Sequence, residues 1–329
     1  MSSHLAASPL HNAPALRYYS LARHALAAGL TALGVRAGAR LLLPEYICRD
    51  LLAALQGVGA VPVYYPVDTR LAPALPPEQW PEAAAVLMVD YFGFAQDMVP
   101  FERYRARTGA LLIEDNAHGF LSRDAAGCWL GRRGDAGVFS LRKTFLFDNG
   151  AALVLESGEQ RLAPQLVEAD ATGVASIRMR RGLKSLPAGR SLAAGAARVL
   201  RTVRRWRTGN TIAPPAADAE SVIPGVANPC RGFSAMLAAC DFPAEALRRR
   251  TLYVQIEQRV RALGMTPVFE RLPDSTVPYG LPVYCDDPAP LNRMAAALDF
   301  DCVRWPDLPG ALAARAPSHY RRIHVVNFL

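Results

Sequence analysis

Lysine is almost missing from this chain. Lys143 and Lys184 are the only two, against 35 arginines in 329 residues. Where a positive charge alone is needed the chain uses arginine, and an arginine cannot form a Schiff base with an aldehyde, whereas a lysine amine can. Other features are absent as well. No uncharged apolar run reaches the roughly 18 residues of a membrane span, and MSSHLAASPLHNAP at the start lacks a basic region followed by an apolar core, so a cytoplasmic location is expected. The six cysteines (Cys48, Cys128, Cys230, Cys240, Cys285, Cys302) are scattered, with no CxxC pair and no histidine at ligand spacing, which excludes a sequence-level case for zinc or a disulfide framework. There is no phosphate loop, nucleophile elbow or HExxH, and the GVG starting at Gly57 runs into Ala60, Val61 and Pro62 and fails the dinucleotide fingerprint.

With 51% hydrophobic and 20% charged residues the chain is globular and long enough for one large domain and a smaller one. Its first half alternates helical and strand patterns: YYSLARHALAAGLTALGV, GARLLLP, CRDLLAALQGVG, VPVYYPV, AAAVLMVDYF, MVPFERYRARTG and ALLIEDN. That alternation predicts an α/β fold with a mostly parallel sheet covered on both faces. GVFSL and AALVLES add two closely spaced strands. Past Ser157 the pattern predicts helices over Glu159–Ala171, CRGFSAMLAACDF and FPAEALRRRTLYVQIEQRVRALG, with a Pro- and Ala-rich linker over 211–229 and an α+β end. The expected division is a large domain over 1–220 and a small C-terminal domain over 221–329.

The net charge of +8 is local: residues 177–207 carry nine arginines and Lys184 with no acid, so the remainder is close to −2. The second half of this stretch has Leu192, Ala196, Val199, Val203 and Trp206 at roughly helical spacing, the pattern of an amphipathic cationic helix. It is expected either to pack on its own domain or to touch an anionic surface such as a membrane. No nucleic-acid recognition motif accompanies it, so a nucleic-acid partner is not expected.

Two segments carry chemistry. LLIEDNAHGF places Glu114, Asp115 and His118 at the C-terminal end of a strand pattern, where open α/β sheets bind ligands. GDAGVFSLRKTFLFDNGAALVL then sets Lys143 between apolar runs, three residues after Ser140. A lysine sheltered there has a lowered pKa and is a better nucleophile. Glu114 falls on the strand face opposite Asp115 and reads as structural.

The stretches IEDNAH (Ile113–His118), GDAGVFS (Gly134–Ser140) and Lys143 together resemble the DegT/DnrJ/EryC1/StrS sugar aminotransferases, within the type I pyridoxal-phosphate enzymes. ALAAGLTALGVRAGARLLLPEYIC, GVGAVPVYYPVD, VDYFGFAQDM and VPYGLPVYC match further family segments in order. The resemblance implies the type I fold, a homodimer with its sites at the interface, and pyridoxal 5'-phosphate as cofactor. Lys143 would hold the cofactor and shuttle protons, Asp115 would keep the pyridinium nitrogen protonated, and His118 would lie near the ring. The phosphate would take backbone donors of Ala22 and Arg23 at a helix start together with the Ser140 hydroxyl. Tyr46 stands where the family has a ring-stacking aromatic. Asn228, with Arg231, resembles an Asn-x-Arg segment that reaches the neighbouring subunit's phosphate.

The departures are the short Ser-to-Lys spacing, SLARHAL in place of a Gly-Thr or Gly-Ser start, DNG where the family has Gly-Glu-Gly-Gly, and an end at HYRRIHVVNFL where members continue to a final helix. A truncated chain or a shorter branch is expected from the last. The implied activity is transfer of an amino group from glutamate or a similar donor to a nucleotide-linked keto-sugar in polysaccharide or glycan biosynthesis. Its rivals are a dehydratase of the same fold, disfavoured because such relatives replace the lysine, and a non-catalytic relative acting as an interaction or regulatory protein.

Overall fold

The computed structural model describes residues 7–145, 147–157, 161–170 and 216–329. The basic stretch 177–207, with Lys184, lies outside the described residues.

The chain opens with β1 (Ala15–Tyr19), α1 (Ala22–Ala32), β2 (Arg40–Pro44), α2 (Leu52–Val58), β3 (Val61–Tyr65) and β4 (Ala85–Val89). It continues through α3 (Val99–Thr108), β5 (Leu111–Asp115), β6 (Ala136–Phe139) and β7 (Ala151–Leu155). These strands form one seven-stranded sheet in the order β1-β7-β6-β5-β4-β2-β3. Strands β2 to β6 pair in parallel, while β7 runs antiparallel to both β6 and β1. β4 and β7 read AVLMV and AALVL and are buried at every position. Such runs do not alternate because both faces of a parallel-type sheet are covered. The α/β architecture follows from the helix–strand alternation.

The helix expected over Glu159–Ala171 is a correction. Its described part, 161–170, forms no α-helix, and Ala169 bridges to Cys230 in parallel. Pro164 removes a donor from the middle of any such helix. The segment instead covers the open edge of the sheet: Tyr18 donates to Gln165 Oε1 at 2.7 Å, Gln165 Nε2 donates back to the Tyr18 carbonyl at 3.0 Å, and Arg17 donates to the Ala163 carbonyl. An edge strand blocked in this way is protected from pairing with another chain.

After this come α4 (Phe233–Ala238) and the long α5 (Phe242–Ala262). Asp241 caps α5 by accepting from the Ala244 amide, with Pro243 in the first turn. β8 (Thr266–Pro267), β9 (Gly280–Tyr284), α6 (Ala289–Ala297), β10 (Asp301–Arg304), α7 (Gly310–Ala313), α8 (Ser318–Arg322) and β11 (Ile323–Asn327) complete the chain. The four strands make an antiparallel sheet ordered β10-β11-β9-β8, which lies wholly within residues 221–329.

Candidate active site

Asp115 ends β5, Ser140 follows β6, and α1 begins at Ala22 beside them, so three elements converge at one end of the large sheet. A cavity of ≈ 220 Å³ opens there, lined among others by Ala22, Arg23, Cys48, Asp50, Asp115, His118, Ser140, Arg142, Lys143 and Trp305. Sequence reasoning named Ala22, Arg23, Asp115, His118, Ser140 and Lys143 for the site, and the fold brings these six together.

The turn after β4 fixes the cavity wall. Phe92 has φ 56°, a left-handed conformation that costs a bulky residue about 1–3 kcal/mol. Gly93 follows at φ 91°, where a Cβ would meet the Val277 carbonyl at 2.7 Å. Gly119 packs against it so closely that a Cβ would lie 2.8 Å from the Gly93 Cα. This close approach sets the His118 ring between Phe92 (centroids 5.5 Å apart) and Tyr279 (4.5 Å), nearly parallel to both, with the edge of Trp305 at 5.1 Å. Two of those aromatics come from the second sheet's neighbourhood.

The hydrogen bonds of His118 assign its tautomer. Nδ1 accepts from the Phe92 amide at 3.3 Å, which leaves the imidazole proton on Nε2. Nε2 lies 3.0 Å from Lys143 Nζ, so that proton points at the amine, which accepts it only with a free lone pair. Burial supports the same state in both groups. Desolvation pushes His118 well below the usual histidine range. Desolvation also lowers Lys143, aided by Arg142 and opposed by Cys48, Asp115 and Asp50. Burial thus disfavours the charged form of both groups, the direction that makes an amine a better nucleophile.

Asp115 accepts from the Ala117 amide at 3.0 Å, and burial raises its pKa while Lys143 opposes the rise. Its neighbour Glu114 faces the other way and binds Arg133, as the alternation along β5 requires. The Lys143 turn is held from beneath by Arg249 of α5. Its Nη2 donates to the carbonyls of Lys143 and Thr144 at 3.1 and 2.9 Å, its Nη1 to Tyr279 at 3.0 Å, and its Nε to Glu245 at 2.6 Å. One buried guanidinium therefore ties the lysine turn to the aromatic that stacks on His118.

Two sequence-based assignments stand away from the cavity. Tyr46 is 0% exposed and does not line it. Its ring packs against Tyr91, Trp305 and Tyr320 at 5.2 to 5.5 Å, and its hydroxyl donates to the Trp305 carbonyl, so its polar tip and both faces are already engaged. The aromatic on the cavity wall is Trp305, just past β10, which the sequence reading did not select. Asn228 donates to the Val167 carbonyl at 2.8 Å, and Arg231 pairs with Asp170 at the surface; neither lines the cavity. Arg23 does line it but also pairs with Asp50 at 3.5 Å. Asp50, Arg142, Trp305 and Arg249 were not anticipated. Only Arg142 had a local signal, its position beside the singular lysine, and the abundance of arginine concealed it.

Residues 18–180 match the sequence model of the DegT/DnrJ/EryC1/StrS aminotransferase family. Through that region the chain is similar to this family. It is 31% identical over 141 residues to a 3-amino-5-hydroxybenzoate synthase of Amycolatopsis mediterranei (strain S699), covering 41% of this chain and 34% of that protein. It is 32% identical over 155 residues to an L-glutamine:scyllo-inosose aminotransferase of Streptomyces griseus, covering 44% and 35%. These alignments span about a third of the relatives' own length. Among solved structures, the aminotransferase TlmJ from Streptoalloteichus hindustanus superposes with a TM-score of 0.62 over 95% of this chain and 80% of its own, at 18% identity, a likeness of fold.

Pyridoxal 5'-phosphate is the cofactor of this family. The donor set fits it: a sheltered amine for the aldehyde, a carboxylate at the strand end for the ring nitrogen, and the amide-bearing start of α1 with the Ser140 hydroxyl for an anion.

Proposed function

We propose that the protein is a pyridoxal-phosphate-dependent aminotransferase that moves an amino group from glutamate, or a similar donor, to a keto-sugar. The observation that carries this reading is Lys143 Nζ, sheltered and 3.0 Å from His118 Nε2, in a cavity that also holds Asp115. When bound, the cofactor supplies an aldehyde that condenses with amines and a ring that withdraws electrons. The chain supplies the rest. Lys143 Nζ would hold the aldehyde and would be the base that takes and returns the proton. His118 Nε2, 3.0 Å away, would orient Nζ. Asp115 would keep the ring nitrogen protonated, and Trp305 and the Phe92–His118–Tyr279 stack would shelter the site from water. A homodimer, a nucleotide-linked substrate and a place in polysaccharide or glycan biosynthesis belong to the same proposal, supported by the family likeness.

Borohydride reduction of the protein loaded with pyridoxal 5'-phosphate tests it. Peptide mapping is expected to find the reduced cofactor on Lys143, with a visible absorption band lost on reduction. Label on Lys184, or no chromophore at all, overturns the assignment and leaves the non-catalytic reading.

A further inference from the structure

Among the described residues, Arg142 has no ion-pair or side-chain hydrogen-bond partner. It precedes Lys143 in the turn after β6 and lines the same cavity, and its Nε is buried with no hydrogen-bond partner. Arg249 shows what a saturated guanidinium looks like in this molecule: one carboxylate and four carbonyls surround it.

A guanidinium does not lose its proton in a protein, so one whose Nε is buried and unbonded keeps that part of its desolvation cost until an anion arrives. Burial already lowers the pKa of Arg142; Tyr279 and Asp50 resist, and Arg23 adds to the lowering. The start of α1 forms another wall of the cavity, with Arg23 and Asp50 on its lining. The first turn of the 11-residue α1 directs its unpaired amides there, and Arg23 is engaged by Asp50. On the strand side the cavity holds the carboxylate of Asp115. The lining therefore suits a ligand with an anionic oxygen group at one place and a protonated nitrogen at another.

We propose that Arg142 is the anion-recognition residue of this cavity, binding an oxygen of a phosphate ester or carboxylate on the ligand. The inference rests on the aminotransferase reading for the two sources of that oxygen, the cofactor's phosphate or the amino donor's carboxylate. Neither is assigned to Arg142 by the family resemblance, which points to α1 and Ser140.

Calorimetric titration of the full chain, freed of cofactor, decides it. Wild type, Arg142→Met and Arg142→Lys are each titrated with pyridoxal 5'-phosphate, pyridoxal, inorganic phosphate and L-glutamate, with thermal unfolding as the folding control. Arg142→Met is expected to weaken at least one anionic ligand by about tenfold to a hundredfold, the size of a lost charge-assisted hydrogen bond, with Arg142→Lys recovering part. A loss for pyridoxal 5'-phosphate and phosphate but not for pyridoxal places the phosphate on Arg142. A loss confined to L-glutamate places the donor carboxylate there. Equal affinities in wild type and Arg142→Met for every ligand overturn the proposal, and so does a wild type that binds none of the anions. If Arg142→Met does not fold, protection of Arg142 from phenylglyoxal by phosphate or glutamate in the wild type is the deciding measurement, and absence of protection overturns it. Should the cofactor never react with Lys143 while phosphate binding still depends on Arg142, the aminotransferase reading fails and the anion site stands.

Discussion

Two adjacent carboxylates on β5 lead into two different buried charge clusters. Glu114 enters a closed one. Arg133, 5% exposed at its side chain, donates to Glu114 from Nε and Nη2 at 2.8 and 2.6 Å and to Asp90 at 2.8 Å, its backbone amide adds a bond to Glu114 at 3.0 Å, and its Nη1 takes the Gln96 carbonyl at 3.2 Å. Asp115 enters an open one, where Lys143 and His118 meet with their charged forms disfavoured by burial and, among the described residues, Arg142 Nε has no hydrogen-bond partner. A closed cluster is what buried charge needs for stability, because each charge replaces its lost water with a fixed partner. The open cluster accepts an unfavourable environment for each member, and perturbed groups that face a cavity are where chemistry is found.

The largest test of the comparison is at Lys143. Lys143→Ala, in an enzyme loaded with pyridoxal 5'-phosphate, is expected to lose the absorption of the lysine-bound cofactor and about 10²–10⁴-fold in transamination rate from the missing proton transfer alone. Steady-state kinetics beside a spectrum check it, and a rate within a few-fold of wild type would remove Lys143 from the mechanism. The unfolding midpoint should not fall, because no native partner depends on the lysine's charge.

Glu114→Ala and Asp115→Asn separate the two clusters directly. Glu114→Ala leaves Arg133 paired with Asp90 but strips the acceptor from its Nε and its backbone amide, and is expected to cost about 1–3 kcal/mol in denaturant unfolding, the size of a buried donor left unsatisfied. Asp115→Asn is expected to leave unfolding almost unchanged and to slow transamination by about 10²-fold or more, because an amide does not hold the ring proton. If Asp115→Asn unfolds as Glu114→Ala does while keeping full activity, both clusters are structural.

The smallest effect is a dependence on pH. The folded-state pKa of His118 is depressed by burial, so below the unfolded value the unfolded chain takes up a proton that the folded chain refuses. Stability from this site is therefore full above pH of about 6.5 and declines as pH falls below it. Chemical denaturation at several pH values should show that decline reduced in His118→Asn. An identical pH slope in both proteins would mean that His118 titrates in the folded state as it does in an open chain.

Much of this was legible in the sequence because it depends on neighbours along one element. The helix–strand alternation, the strand end at Asp115 and the opposite faces of Glu114 and Asp115 follow from local periodicity, and the scarcity of lysine singles out Lys143 without any structure. The helix expected over Glu159–Ala171 failed because Pro164 and the exposed edge of β1 outweighed a periodic pattern, and the second of those is a tertiary fact. Tyr46 lies in the expected loop but turns inward, since its hydroxyl and ring found partners in Trp305, Tyr91 and Tyr320.

The sequence by itself determined which chemical groups stand at the end of the parallel sheet, because strand order and side-chain alternation place them there whatever packs above. Only the tertiary structure decided their state. Tyr279 and Trp305 arrive from the second sheet to shelter His118, Arg249 reaches from α5 to fix the lysine turn, and among the described residues no carboxylate forms an ion pair with Arg142. Whether a charge is satisfied depends on which distant elements approach it, and spacing along the chain carries no record of that approach.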